Sequence, residues 1–298
     1  MTDSDLRPGR VLAARGLAWL LAIIAAVPMF GLIDLGTLFG MSDPRYEWAM
    51  SLEASWGALF TFFVAAGFAW VGTLPGKPWP GLVLVFLAAG GLALAGVALA
   101  DAGPLWVALA LGSAAGGLLL LLRPGRSGTV PNAPAGVGGA KGTVPEQPKQ
   151  HAGGGAEGTV PEQPPGRFRR PALEPGLIAP VLGVPLWLAY AWLSYGPAVA
   201  GVPGDVTNGI DHWPVQVALG LALAAGCVLL AYWGERLTLW RWAFAASAGF
   251  VAYATLVFPE RAGAMPHPAW GVAIAGWGVL AAVLQPRRLS RAQPGPRE

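Results

Sequence analysis

An all-α integral membrane protein is the fold class this sequence predicts, and three observations predict it. Eight apolar stretches, each about as long as a bilayer is thick, fill nearly all of the chain. The 298 residues are 54% hydrophobic and only 12% charged. A single Gly/Pro-rich stretch interrupts the pattern. A helix needs ~20 mostly apolar residues to cross ~30 Å of hydrocarbon, and a spanning backbone must satisfy its own hydrogen bonds there. The balance excludes an ordinary soluble domain and a wholly disordered chain. Basic residues sit beside the spans, where they orient a membrane protein, so the basic pI does not imply nucleic acid as a partner.

Apolar runs and their flanks place the first helix at 11–33, behind Arg7 and Arg10 and with Pro28 inside it. It reads as an uncleaved span: Ala25 and Ala26 offer the only small-residue cleavage site, Pro28 follows them, and the stretch is long enough to cross. The second helix is expected at 52–74, followed by helices at 81–100 and 104–122. Asp101, Ala102 and Gly103 make these last two a tight antiparallel pair. Four more follow at 176–199, 213–233, 238–258 and 268–285, the first of them carrying Pro180 and Pro185. The single cysteine, Cys227, lies in an apolar run and reads as a buried, inert thiol.

Lys and Arg counts set the orientation. One side carries Arg7, Arg10 and Arg15, Lys77, the linker residues Arg123, Arg126, Lys141, Lys149, Arg167, Arg169 and Arg170, then Arg236, Arg241, Arg287, Arg288, Arg291 and Arg297, which is 17 of the 19 basic residues. The other side holds only Arg45 and Arg261. Both termini and the linker are therefore expected in the cytoplasm of a bacterial-type inner membrane.

The domain organisation reads as a four-helix half at 1–122, a linker at 123–172, a second four-helix half at 173–286 and a basic tail at 287–298. Landmarks such as Gly72 and Gly234, or Pro104 and Pro266, recur at one offset and suggest an internal repeat. The linker repeats one phrase, first Gly128 to Pro131, then Gly142 to Pro148 and Gly158 to Pro164. Its Pro, Gly and Gln cannot offset the entropy of ordering, so disorder is expected.

Chemistry has few places to reside. No ionisable residue falls near the middle of a predicted span. Asp34, Glu53 and Arg241 fall near span ends, where contact with water or snorkelling makes them inexpensive. This argues against a proton-coupled pump. On the outer side, Asp43, Glu47, Glu53, Asp211, His212 and His267 bring together side chains able to ligate a metal or exchange protons. No HExxH, CxxC or paired-carboxylate spacing supports that chemistry, and the plainer account has polar residues at aqueous helix ends, with Asp211 capping the sixth span. The loop with Asp43, Tyr46 and Trp48 mixes charge with large aromatics and leads into Glu53 and Trp56, which share a helix face. An interfacial aromatic belt accounts for Tyr46, Trp48, Trp56, Trp106, Trp213 and Trp270, and a partner-docking lid is the functional alternative.

Small-residue pairs, including Gly112 with Gly116, Gly220 with Ala224 and Gly271 with Ala275, predict close helix packing. The sequence ranks a non-catalytic accessory, assembly or sensing component first. A small-solute transporter, with interrupted first and fifth spans, comes second, and a membrane-embedded enzyme with an outer-face polar site third. No cofactor is expected. The bilayer and a membrane-protein partner are the expected contacts, and the oligomeric state is not encoded.

Overall fold

The computed structural model describes residues 8–40, 49–123, 175–233 and 238–284. The linker repeats, the basic tail and the loop residues Asp43, Tyr46, Glu47 and Trp48 lie outside the described residues. Helices dominate: α1 Pro8–Ala26, α2 Gly31–Gly40, α3 Met50–Thr73, α4 Trp79–Leu99, α5 Ala102–Leu121, α6 Pro175–Val199, α7 His212–Trp233, α8 Thr238–Val257 and α9 Pro268–Val283. A two-stranded hairpin, β1 Val206–Thr207 and β2 Ile210–Asp211, lies between α6 and α7.

Six of the helical stretches are long and apolar enough to cross a membrane, counting α1 and α2 as one. The other two coincide with the seventh and eighth expected spans. Arg241, Trp240 and Trp242 lower the hydropathy of α8, while α9 is only 16 residues long. Large apolar side chains face outward as well as inward, with Trp106 and Trp192 each 71% exposed and Leu94, Val272 and Val283 also exposed. Helices from either side of the linker pack together: α3 against α7 and α8, and α4 against α7.

The expected first span is two helices. Pro28 has no N–H to continue the ladder, so α1 stops at Ala26. Phe30 passes through a left-handed conformation (φ 58°), and a separate helix, α2, begins at Gly31. By contrast Pro180, Pro185 and Pro197 are absorbed within one continuous α6, so the expected interruption of the fifth span does not occur. The break in the first span is accommodated by close contact with α3. A Cβ on Gly31 would lie 2.8 Å from the Ala25 carbonyl oxygen and 2.9 Å from Phe60 Cβ; one on Gly57 would lie 2.9 Å from the Gly31 carbonyl oxygen. Immediately beyond, Leu59–Ala65 widens to a π-helical segment, a local unwinding common where helices carry function.

The expected tight turn after α4 is present. Ala100 is left-handed (φ 52°), and the Asp101 carboxylate accepts from Gly103 N at 2.9 Å. Small-residue packing is selective. Gly220 backs onto the Trp187 carbonyl and Ala191, and Gly271 onto Leu256 and the Ala252 carbonyl, whereas Gly112 and Gly116 have nothing within 4 Å, so that pair packs no helix of this chain among the described residues. Cys227 is buried, as expected.

Replacing Gly57 by Leu is expected to destabilise the detergent-solubilised protein by ~1–3 kcal/mol through overpacking, whereas Gly112→Ala should be neutral or mildly stabilising. Paired thermal unfolding curves check both; equal losses would show that the α2–α3 contact is no tighter than the α5 surface.

Candidate functional site

The break between α1 and α2 places Asp34 one turn into α2, against the first turns of α3 and α7. Its N–H continues the new helix by donating to the Phe30 carbonyl at 2.9 Å. Asp34 is 3% exposed, Glu53 5% and His212 0%. Neither carboxylate snorkels, so the expectation that span-end location keeps Asp34 and Glu53 in water is overturned. One ligand atom from each of Asp34, Glu53 and His212 lies within 4.8 Å of the others.

The hairpin assembles the rest of this centre. Asn208 and Gly209 both have positive φ (54° and 78°), the conformation of a tight two-residue hairpin turn. Asn208 Nδ2 donates to the Pro28 carbonyl at 3.1 Å, which ties the hairpin to the helix break. At the base of the hairpin the Asp205 carbonyl accepts from His212 N at 2.9 Å, and its carboxylate from Val206 N at 2.8 Å. On β1, Thr207 Oγ1 is 2.8 Å from His212 Nε2.

Glu53 hydrogen-bonds to the side chains of both Asp34 and Asp205. A hydrogen bond between two carboxyl groups requires a proton on one of them, so at least one acid in this trio is neutral when no cation is present. Asp205, half-buried at the edge, receives the bond from Glu53 and is held below its ordinary value chiefly for that reason. His212 Nδ1 stands 4.0 Å from Glu53 Oε1, too far for a hydrogen bond. It has no hydrogen-bond partner, and neither does Asp34 Oδ2. The Trp56 ring stacks on the His212 ring at a centroid distance of 4.5 Å, and its indole N–H donates to the Met29 carbonyl at 2.7 Å.

A neutral network continues inward. Ser55 Oγ lies 2.9 Å from the Ser51 carbonyl and 2.7 Å from Tyr190 OH, while Gln216 Nε2 donates to Tyr190 OH at 3.0 Å and to the Gly263 carbonyl at 2.7 Å. Donor counting fixes the direction. Both Gln216 amide hydrogens are committed, so Tyr190 donates to Ser55, which donates to Ser51. His212 and Gln216 are four apart and share a face of α7, so the two networks are stacked one turn apart.

Of the candidates expected from sequence, Glu53, Trp56 and His212 converge. Trp56 is fully buried beside the centre and Trp213 is 5% exposed, so neither belongs to an interfacial belt. Asp211 serves as a cap, accepting from Trp213 N at 2.9 Å, and burial holds its carboxyl above the ordinary value. His267 is likewise a cap, its Nδ1 accepting from Ala269 N at 3.1 Å on an exposed turn. Asp43, Tyr46, Glu47 and Trp48 lie outside the described residues. Asp34, Asp205, Thr207, Tyr190 and Gln216 join the site without having been singled out for it. The signals were the Asn208-Gly209 hairpin turn and Pro28 six residues before Asp34. Comparison with protein-family models, with curated proteins and with solved structures finds no match.

Tyr190→Phe leaves one Gln216 N–H without an acceptor and removes the donor to Ser55 Oγ, and is expected to cost ~1–3 kcal/mol in unfolding experiments. A neutral result would mean that water replaces the phenol. Asp205 contributes stability that is fully present above its unfolded value of 3.8 and lost as pH falls through its lower folded value. Asp205→Asn should therefore flatten the acid limb of a stability–pH curve; an unchanged limb would remove Asp205 from the centre.

Proposed function

We propose that the protein is an eight-span membrane protein acting as a non-catalytic sensing or accessory component, with the Asp34, Glu53 and His212 centre as its responsive part. The observation that carries the reading is the enclosure of these three ionisable side chains where a broken helix, a hairpin and the first turns of α3 and α7 meet. Ionisable groups enclosed between membrane helices are costly and mark functional sites. Three residues no more than 5% exposed leave room for an ion and not for an organic substrate. A change of one charge at this junction alters the electrostatics of all four segments, which suits a switch that passes a local event to a partner.

In the proposed topology four spans lie on each side of the cytoplasmic linker, the halves share one orientation, and the centre faces outward in a bacterial-type inner membrane. At the far end of α3, Lys77 and Arg123 rim a cavity of about 1090 Å³ that is otherwise lined by Trp70, Leu74, Trp79 and other mainly apolar residues. That basic rim fits the cytoplasmic side. A second reading, a small-solute transporter, is favoured by one feature: a first span broken beside buried charge, as in transporters whose discontinuous helices bind substrate or ion.

Tagged purification from native membranes in mild detergent, followed by quantitative mass spectrometry, tests the first reading. It should recover a stoichiometric membrane-protein partner whose amount changes several-fold in Glu53→Gln. Recovery of this chain alone, with controls for detergent stripping, would contradict it and favour the transporter.

A further inference from the structure

We infer that Asp34, Glu53 and His212 form a binding site for one first-row divalent metal ion of the zinc class, with Thr207 as a positioning residue for the imidazole. The inference deepens the reading of this centre as the responsive part of the protein and rests on it. Two atoms of this cluster are buried without partners, His212 Nδ1 and Asp34 Oδ2, and His212 Nδ1 stands 4.0 Å from Glu53 Oε1. Buried polar atoms in folded proteins are otherwise nearly always satisfied. His212 Nε2 is engaged by Thr207 Oγ1 at 2.8 Å, and when Nε2 carries the proton, Nδ1 presents its lone pair. Metal-ligating histidines are held in this way through their second nitrogen. Trp56, stacked on the ring and anchored to the Met29 carbonyl, fixes the plane of the imidazole.

Charge and size agree with this assignment. Two carboxylates balance the charge of a dication, so the ion, Asp34 and Glu53 are neutral together. Zinc–nitrogen and zinc–oxygen bonds of ~2.0–2.2 Å in tetrahedral geometry place donors ~3.3–3.6 Å apart. The widest pair in the present 4.8 Å envelope therefore needs to close by ~1.2–1.5 Å on binding. One imidazole favours zinc, iron or nickel over calcium or magnesium, which select all-oxygen sets. Asp205, joined to Glu53 and reaching solvent at the hairpin base, marks the entry side and offers a further carboxylate.

The test uses the full chain, purified in detergent, stripped with chelator and titrated with zinc chloride. Bound metal is read by elemental analysis after gel filtration. Close to one ion per chain is expected, with binding at least ~10-fold weaker in Asp34→Asn and His212→Gln. Thr207→Val, which removes no ligand, should weaken binding by ~10–100-fold. His267→Asn, at an exposed helix cap, should bind as the wild type does. Should a ligand variant fail to fold, the wild-type chain still decides, because zinc must raise its Tm in a concentration-dependent and chelator-reversible way. Absence of bound zinc in the folded wild type, or equal binding by folded Asp34→Asn, overturns the assignment. If the chain retains its native partner but no zinc, the metal is ruled out and the accessory reading stands. If it binds zinc and recovers no partner, the metal stands and the accessory reading falls.

Discussion

Glu53 touches two other carboxyl groups and faces an imidazole in a space closed to solvent, and this crowding constrains the structure around it. Carboxylates removed from water are strongly destabilising unless protonated, paired or bound to a cation. Each neighbouring segment supplies part of the answer. α2 brings Asp34, the hairpin brings Asp205 and Thr207, and α7 begins at His212 so that its first side chain enters the cluster. Asp34 and Glu53 would each be costly among the packed helices alone.

Backbone features follow from the same requirement. A straight first span would carry Asp34 along the α1 axis. The stop at Pro28 and the left-handed turn at Phe30 redirect it toward α3, and Gly31 and Gly57 permit the approach because neither has a Cβ to obstruct the other helix. The Pro28 carbonyl, left outside a regular ladder, is taken by Asn208. The helix break, the hairpin turn and the polar centre are thus joined by direct hydrogen bonds, and a perturbation at any one of them reaches the other two. The Tyr190 and Gln216 network beneath links this end of α7 to α6 and to the loop at Gly263.

The helices were legible because lipid imposes a length and a composition that few other segments meet. The ends of α4, α5, α6, α7 and α8 fall within about two residues of their expected positions, and Asp101 and Asp211 cap as their residue type suggests. The site was legible only in part. Glu53, Trp56 and His212 stood out as ionisable or aromatic residues near one end of the bundle. Asp34 was visible too, but hydropathy reports depth along a helix and not which face is enclosed, so a span-end acid reads as solvated until a second helix is seen to cover it. The hairpin escaped notice because two-residue strands carry no hydrophobic alternation; only Asn208-Gly209 encodes it. Pro28 and Pro180 look alike in sequence. They differ because α1 turns at Phe30, whereas α6 continues through its prolines against α7.

The account depends most on the claim that Asp34, carried by the broken first span, is in energetic contact with His212 at the start of α7. A double-mutant cycle with Asp34→Asn, His212→Gln and the pair, read by denaturant or thermal unfolding of the detergent-solubilised protein, measures this directly. The structure predicts a coupling of ~0.5–3 kcal/mol, and additivity within ~0.3–0.5 kcal/mol would place the two side chains apart and contradict it.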